Sequence, residues 1–553
     1  MIPVNRTFAP LQAFVDELVR CGMSHAVTSP GSRNAPLALA LAGEQRIAAV
    51  SVLDERSAGF VALGIAKATR RPVAVTCTSG SAAANLMPAV VEAHEARVPL
   101  LVLTADRPPE LRDTGAGQAI DQIKLYGAFA KWFVEVGNHD PGRASAIHHR
   151  ALACRAYATA GGGRPGVVHL NFPLREPLAP VPEPLEASDW EGRPDGGPWV
   201  QLYEPAREAA AEVAAGMAAR IPAGARGAIV CGAIAEEIAE PVARLAAAAG
   251  WPILADPLSG LRCGPHDLSH VVAHYDVLLR SETFAARQRP ELVLRIGDTP
   301  TSKPLRAWLA GAPQLVLDPQ GVWHEPTRTA ETVVQAAPGP LCSQLAELLQ
   351  AAGVEPITEW LRGWRDADAL VAPALEAVPD PFEPKVWAAM KDAAPDGSTL
   401  YVASSMPIRD VETFFPPAGK RLRFLSNRGA NGIDGTASSA LGASLGIEGR
   451  TFLLTGELAL LHDLGGLVAA RRVGAELTIV CVNNGGGGIF DFLPVADATN
   501  AELYERHIAT PHGVDLEEVA AAAESPALVE VRTDRAQNVD LHRGLFARVA
   551  EQL

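Results

Sequence analysis

The sequence predicts an α/β protein built from three doubly wound parallel-sheet domains. Three observations carry this. Short β-rich runs alternate with Ala-rich helical runs from Phe14 to Asp106, the pattern repeats from Gly227 to about Val322, and a third block runs from Thr399 to the C-terminus. In the first block, strands are expected at Ala26–Thr28, Ala48–Leu53, Val73–Cys77, Leu100–Thr104 and Gly166–Leu170. The stretch from Pro173 to Pro198, with Pro177, Pro180, Pro182, Pro184 and Pro194, can be neither helix nor central strand and reads as a linker. The second block offers strands at Ala228–Cys231, Leu292–Ile296 and Gln314–Leu317, and Gly353 to Pro384 reads as a partly helical connection. In the third, strand 399–402 leads to a βαβ unit: strand Thr451–Thr455, a helix from Leu460 to Arg472, and strand Leu477–Val482. Domains are therefore expected at 1–180, 198–355 and 380–553, the first and third as cognate sheets.

At 553 residues the chain is too long for one core. A net charge of −15 argues against nucleic acid or an anionic membrane as partner, since either needs an extended basic surface. The N-terminus lacks a basic region followed by an apolar core, and no apolar run reaches membrane-spanning length. Seven scattered cysteines without a Cys-x-x-Cys or Cys/His cluster argue against disulfide or metal use and for a reducing, cytoplasmic compartment. His148, His149, His266, His270 and His274 lack acidic or cysteine partners at ligand spacing and read as ordinary imidazoles.

The chemistry-bearing residues cluster at strand ends. The βαβ unit of the third block ends its strands on Gly456-Glu457 and Asn483-Asn484-Gly485, placing a carboxylate beside a carboxamide where α/β sheets bind ligands. A hard divalent ion tied to a diphosphate needs such a set: one or two protein oxygens, with phosphate and water completing an octahedron. Gly485 to Gly488 form either a flexible turn or a backbone approach to diphosphate, followed by apolar Ile489, Phe490 and Leu493. In the first block, Ser29-Pro30-Gly31-Ser32-Arg33-Asn34 is an ordinary βα turn or an anion site of backbone N–H groups and a guanidinium. Glu55, after strand Ala48–Leu53, is a helix cap or dipole partner, or a buried acid for an aminopyrimidine nitrogen. Gln118 either donates to a carboxylate or caps a helix. Arg107, Arg409 and Arg428 follow further strands, and this repetition in an acidic protein points to anionic ligands.

The motifs Ser-Pro-Gly-Ser-Arg-Asn-Ala-Pro-Leu, Asp-Glu-Arg-Ser-Ala, Thr-Ala-Asp-Arg-Pro-Pro-Glu-Leu, Ser-Asn-Arg-Gly-Ala-Asn-Gly-Ile-Asp-Gly and His462-Asp463-Leu464 resemble those of the 2-succinyl-5-enolpyruvyl-6-hydroxy-3-cyclohexene-1-carboxylate (SEPHCHC) synthase family of thiamine-diphosphate enzymes. The resemblance spans nearly the whole chain. It implies the three-domain thiamine-diphosphate-enzyme fold, with decarboxylation of 2-oxoglutarate and 1,4-addition of the resulting carbanion to isochorismate, in menaquinone or phylloquinone biosynthesis. It implies that Glu55 hydrogen-bonds N1′ of the cofactor, and that Glu457, the Asn484 side chain and the Gly486 carbonyl hold Mg²⁺ (or Mn²⁺). Ile433 would support the bent cofactor, Gly456 would line it, and Ile489, Phe490 and Leu493 would wall the site. Ser32, Arg33, Arg107, Gln118, Lys303, Ser405, Arg409, Arg428 and Leu493 fall on the family's substrate-binding positions, with Arg33, Gln118, Ser405 and Arg409 joining Glu55 in catalysis. The superfamily builds its site between the first domain of one subunit and the third of another, which implies a homodimer or homotetramer.

Two departures from the family pattern stand out. Glu457 replaces the usual Asp, and the chain between Val519 and Pro526 looks too short for the helix and strand expected there. Two rival readings are another 2-oxoacid carboligase, which needs fewer arginines, and a non-catalytic cofactor-binding protein, against which Glu55 argues.

Overall fold

A computed structural model describes residues 5–203, 207–222, 224–353, 355, 358–523 and 526–553. Alternation of side chains along the strands divides the interior into layers. On the first sheet, Val73, Val75 and Cys77 face one core while Ala74, Leu101 and Leu103 face another. Such two-sided burial is what a parallel sheet covered by crossover helices requires.

The first sheet holds β1 (His25–Thr28), β2 (Ala48–Ser51), β3 (Val73–Cys77), β4 (Leu100–Asp106), β5 (Ala130–Glu135) and β6 (Val167–Pro173), in the order β2-β1-β3-β4-β6-β5. The second holds β7 (Gly227–Cys231), β8 (Ile253–Ala255), β9 (Val271–Val272), β10 (Leu292–Ile296), β11 (Gln314–Leu317) and β12 (Ala330–Val334), ordered β12-β11-β10-β7-β8-β9. The third holds β13 (Thr399–Val402), β14 (Arg423–Leu425), β15 (Thr451–Gly456), β16 (Leu477–Asn483) and β17 (Ala527–Arg532), ordered β14-β13-β15-β16-β17. Every pairing between them is parallel. The three doubly wound sheets expected from the sequence are thus present. The first and third sheets share the same start, with the second strand outside the first and the third on its other side.

That reversal places a crevice at the carboxyl ends of β1 and β3 in one sheet and of β13 and β15 in the other, where open α/β sheets bind ligands. The turns after these strands carry Ser32 and Arg33 in the first sheet, and Ser405 and Glu457 in the third.

The first and third sheets also share one core, in which Val27, Val61 and Val75 join Tyr401, Leu441, Leu453 and Ile479. Helix Glu55–Thr69 crosses helix Thr436–Gly446 at this seam. A Cβ at Gly64 would lie 2.0 Å from the Ser439 carbonyl oxygen, and one at Gly442 2.1 Å from that of Val61. Only glycines permit so close a crossing.

Several expectations are corrected. Helix Leu460–Arg472 is two helices, Glu457–His462 and Leu464–Val473, broken where the Asp463 carboxylate accepts from Ser438 N at 2.7 Å and Ser438 Oγ at 2.9 Å. Strand Ala48–Leu53 stops at Ser51. β5, β8, β9 and β12 were not foreseen. The region thought too short carries helix Leu516–Ala523 and strand β17, which pairs with β16 over six residues; residues 524 and 525 lie outside those described. Pro173 ends β6, the stretch 174–198 is irregular apart from one short helical turn, Ala187–Trp190, and 358–393 forms three helices. Among the described residues, no helix is long and apolar enough to cross a membrane.

Candidate active site

Three groups of side chains gather at the carboxyl edges of the first and third sheets. The first is the set read from the βαβ unit. Glu457 opens the helix after β15 and is 2% exposed, with its Oε1 accepting from Gly486 N at 2.7 Å. Burial pushes its carboxyl up to about 7. Asn484, just beyond β16, donates from Nδ2 to Glu383 Oε1 at 2.9 Å. Its Oδ1 is buried and accepts from no donor. A buried oxygen without a donor costs about 1–3 kcal/mol unless something else fills the need. A carboxylate and an unbonded carboxamide oxygen are the hard donors a divalent cation takes, so the residues present fit Mg²⁺ or Mn²⁺. The Gly486 carbonyl, expected as a third donor, accepts from Gly488 N at 2.9 Å and keeps a second lone pair. Gly456 directly precedes Glu457. Ile489 is half-buried, while Phe490 and Leu493 are 36% and 37% exposed.

Two further residues in this group escaped the sequence reading. Glu383 is buried, its carboxyl raised by desolvation and by Asp410, and it also accepts from Thr533 Oγ1 at 3.0 Å. His512 accepts from Val514 N at Nδ1, 2.9 Å, which leaves the proton of the neutral ring on Nε2. That Nε2 is buried without an acceptor, 4.0 Å from Glu457 Oε1. Neither residue belongs to a local motif, so no sequence signal marks them.

The second group lies on the first sheet. Arg33 donates from Nη1 to Leu174 O at 2.8 Å, and its Nε is buried without an acceptor. Burial first, and the charge of Arg107 second, lower its pKa. Arg107 donates to Ser79 Oγ at 2.8 Å. Gln118 is exposed, and its backbone, at φ 56°, passes over Gly80. Ser32 stands beside Arg33 in the turn after β1.

The third group spans the second and third domains. Ser405 precedes helix Met406–Phe414 at φ 76°, ψ −135°, nearly the conformation of Gly80 after β3 (86°, −141°). An L-residue held there stores strain of about 1–3 kcal/mol, a cost that clusters at functional sites. Its carbonyl accepts from Arg409 Nη1. Arg428 donates to Ser404 Oγ at 3.3 Å and to Thr301 Oγ1 at 3.4 Å, so the second domain closes over the third here. Burial lowers the pKa of both arginines, and the charge of Arg409 adds to the effect on Arg428. Lys303 is exposed at the start of helix Lys303–Leu309, two residues from Thr301.

Ile433 is half-buried in the loop before helix Thr436–Gly446. Glu55 lies on the first sheet's side of the seam, in the helix after β2. It is half-buried at the start of its helix, where its charge helps raise the Cys77 thiol. Its neighbour Arg56 donates to His462 O at 3.0 Å, at the far end of the helix that Glu457 begins.

A family model described as "Thiamine pyrophosphate enzyme, N-terminal TPP binding domain" matches residues 11–125. Another, "Middle domain of thiamine pyrophosphate", matches residues 188–400. Among curated relatives, a 2-succinyl-5-enolpyruvyl-6-hydroxy-3-cyclohexene-1-carboxylate synthase of Geobacillus thermodenitrificans is 44% identical over 98% of this chain and 96% of its own. Proteins of the same name from Myxococcus xanthus (43% identical, 98% and 97% covered) and Chloroflexus aurantiacus (42%, 98% and 96%) are similar to it over the same extent. With identity of this order along its whole length, the chain belongs to the 2-succinyl-5-enolpyruvyl-6-hydroxy-3-cyclohexene-1-carboxylate synthase family of thiamine-diphosphate enzymes.

Proposed function

We propose that this chain decarboxylates 2-oxoglutarate with thiamine diphosphate and adds the resulting four-carbon unit to isochorismate, a step of menaquinone or phylloquinone biosynthesis. The observation that carries the reading is the buried Asn484 Oδ1 without a donor beside the buried Glu457 carboxylate. Glu457, Asn484 and the Gly486 carbonyl hold Mg²⁺ (or Mn²⁺) against the diphosphate, and one methylene more than Asp is tolerable because both acids offer hard oxygens. Thiamine diphosphate, when bound, supplies the electron sink for decarboxylation. Glu55 hydrogen-bonds the aminopyrimidine ring at N1′ and sets its tautomer. Ile433 supports the ring, Gly456 lets backbone approach the cofactor, and Ile489, Phe490 and Leu493 exclude water from the reacting carbon.

Both substrates are carboxylates, and the half-buried arginines answer that chemistry. Arg33 and Arg107, with Ser32 and Gln118, form one binding set. Arg409 and Arg428, with Ser405 and Lys303, form the other. A planar guanidinium pairs bidentately with a carboxylate, which orients the acid as well as holding it. Arg33, Gln118, Ser405 and Arg409 thereby position the reacting atoms.

A homodimer or homotetramer follows from the same reading. Leu53, two residues before Glu55, is 62% exposed, and Phe490 and Leu493 present apolar surface at the cofactor set. The first domain of a second copy covers the third domain of this one, so that each site takes Glu55 from one chain and Glu457 from the other. The seven free cysteines and the acidic surface suit the cytoplasm.

The test is ultraviolet-monitored isochorismate consumption with 2-oxoglutarate, thiamine diphosphate and Mg²⁺, beside the same assay with pyruvate. Turnover that requires 2-oxoglutarate is expected; equal turnover with pyruvate, or cofactor binding without turnover, overturns the reading. Mixing Glu55→Ala and Glu457→Ala chains should restore activity that neither has alone, and no restoration would refute a shared site.

A further inference from the structure

Cys21 and Cys154 are 133 positions apart in the chain, but their sulfurs stand 3.6 Å apart in the fold. Cys21 ends helix Phe8–Arg20, and Cys154 lies in the middle of helix Arg143–Gly161, which packs against it. The site around them is built rather than incidental. Glu17, one turn before Cys21, is fully buried, and its Oε1 lies 3.5 Å from the Cys154 sulfur. Arg150, one turn before Cys154, is buried and donates to Glu17 Oε2 and to Asp16 Oδ2, both at 2.7 Å. The linker from the first to the second domain runs across this face: Val200 N donates to the Cys154 sulfur at 3.4 Å, and Trp199 N donates to Glu17 Oε1. A cavity of about 430 Å³, lined by Cys154, Arg155, Lys131, Ala158, Val200 and Leu202, reaches the Cys154 side. None of these residues belongs to the three groups at the sheet edges.

Two sulfurs and a carboxylate this close also resemble a ligand set for a soft metal. Glu17 argues otherwise, because both of its oxygens are already engaged by Arg150, Trp199 N and the thiol. A cation there would have to displace a guanidinium. The thiols need no such displacement to react with each other, only an approach from 3.6 Å to the roughly 2.05 Å of a disulfide.

We propose that Cys21 and Cys154 form a peroxide-oxidised dithiol site, closing a reversible disulfide between the two helices. The Cys154 thiolate attacks one peroxide oxygen; the S–O bond forms, the O–O bond breaks, and hydroxide leaves to take up a proton as water. The Cys21 sulfur then attacks the sulfenic sulfur, losing its proton; the S–S bond forms, the S–O bond breaks, and a second water leaves. Two thiols are oxidised by two electrons and one hydrogen peroxide is reduced to two waters. Cys154 is the attacking sulfur for a geometric reason: it receives the Cys21 S–H and the Val200 N–H, which favour its thiolate over the opposing pull of the Glu17 carboxylate, and it faces the cavity. Hydrogen bonding by Cys21 accordingly lowers the pKa of Cys154 and raises that of Cys21. Closing the bond draws the Cys154 sulfur away from Val200 N–H and loosens the linker at the domain junction.

Full-length protein treated with hydrogen peroxide, blocked with N-ethylmaleimide and digested without reductant should yield a Cys21–Cys154 cross-linked peptide that dithiothreitol abolishes. The five other cysteines, buried like Cys154 but absent from the lining of its cavity, should remain alkylatable only after unfolding. In folded Cys21→Ser protein, dimedone should trap a sulfenic acid on Cys154. Oxidation of Cys154 no faster than of those five, or a cross-link between any other pair, overturns the proposal. Protease cleavage within residues 189–202 should accelerate several-fold on oxidation; unchanged cleavage with the disulfide formed would overturn the loosening.

Discussion

Asn484 gives its amide nitrogen to Glu383 at 2.9 Å, and this fixes which end of the carboxamide remains for a cation. Glu383 is an outer residue that orients an inner one, and outer partners of this kind are typically worth 10- to 100-fold in metal affinity. Glu383→Ala should weaken Mg²⁺-dependent binding of thiamine diphosphate by about that factor while the protein stays folded. Intrinsic fluorescence titration with cofactor at several Mg²⁺ concentrations reads it directly, and an unchanged Mg²⁺ requirement would show that Asn484 does not use its Oδ1.

Glu457 supplies the only formal negative charge in the proposed cation set. Glu457→Gln should remove the metal dependence of cofactor binding and cost at least about 100-fold in affinity, whereas Glu457→Asp should bind both and shift the preference between Mg²⁺ and Mn²⁺. Parallel titrations with the two metals distinguish these outcomes from a merely structural role, which would lower melting temperature in both variants alike.

Arg428 and Arg409 are both half-buried on the proposed substrate side, close enough that the charge of Arg409 helps lower the pKa of Arg428. Arg428→Ala should lower kcat/KM by an amount equivalent to about 2–5 kcal/mol, since a carboxylate is left without its charge partner. Arg428→Lys should recover only part of this, because an ammonium lacks the planar fork. Varying 2-oxoglutarate and isochorismate separately identifies which acid the pair receives.

Glu412 is fully buried and accepts from Tyr275 Oη at 2.7 Å, and burial pushes its carboxyl up to about 8, with Asp256 and Asp276 adding to the effect. The folded chain therefore keeps a proton there that the unfolded chain gives up near 4.5. The contribution to stability is complete below that value and is lost as pH rises through about 8. Urea unfolding between pH 5 and 9 should show stability declining with pH, and Glu412→Gln should flatten that decline.

Gly64 admits the Ser439 carbonyl at a distance no Cβ tolerates. Gly64→Ala must push two helices apart and should destabilise the protein by at least about 1–3 kcal/mol, the usual cost of overpacking. Thermal unfolding of the variant measures it; a loss of less than about 0.5 kcal/mol would mean that the seam is soft.

How much of this was legible in the sequence depended on burial and on distance along the chain. β3 and β10 lie inside their sheets, are buried throughout and mostly apolar, and run over the residues expected, Val73–Cys77 and Leu292–Ile296. β5, β9 and β12 lie at sheet edges, and β8 is three residues long, so their weak patterns escaped notice. Glu457 and Asn484 were readable because one βαβ unit holds both. Glu383 was not, because it meets Asn484 across 101 positions and only the folded third domain joins them. The same holds for Cys21 and Cys154, whose scatter suggested isolation. His512 resembles any loop histidine until Val514 fixes its proton on the side of Glu457.

The crossing at Gly64 and Ser439 has a consequence for how the chain is made. Helix Glu55–Thr69 leaves the ribosome roughly 375 residues ahead of its counterpart helix, a delay of about 20–75 s at 5–20 residues per second. Throughout that interval the Gly64 face of helix Glu55–Thr69 lacks the helix it closes against, and the nascent chain exposes that apolar face to chaperones and to neighbouring polysomes.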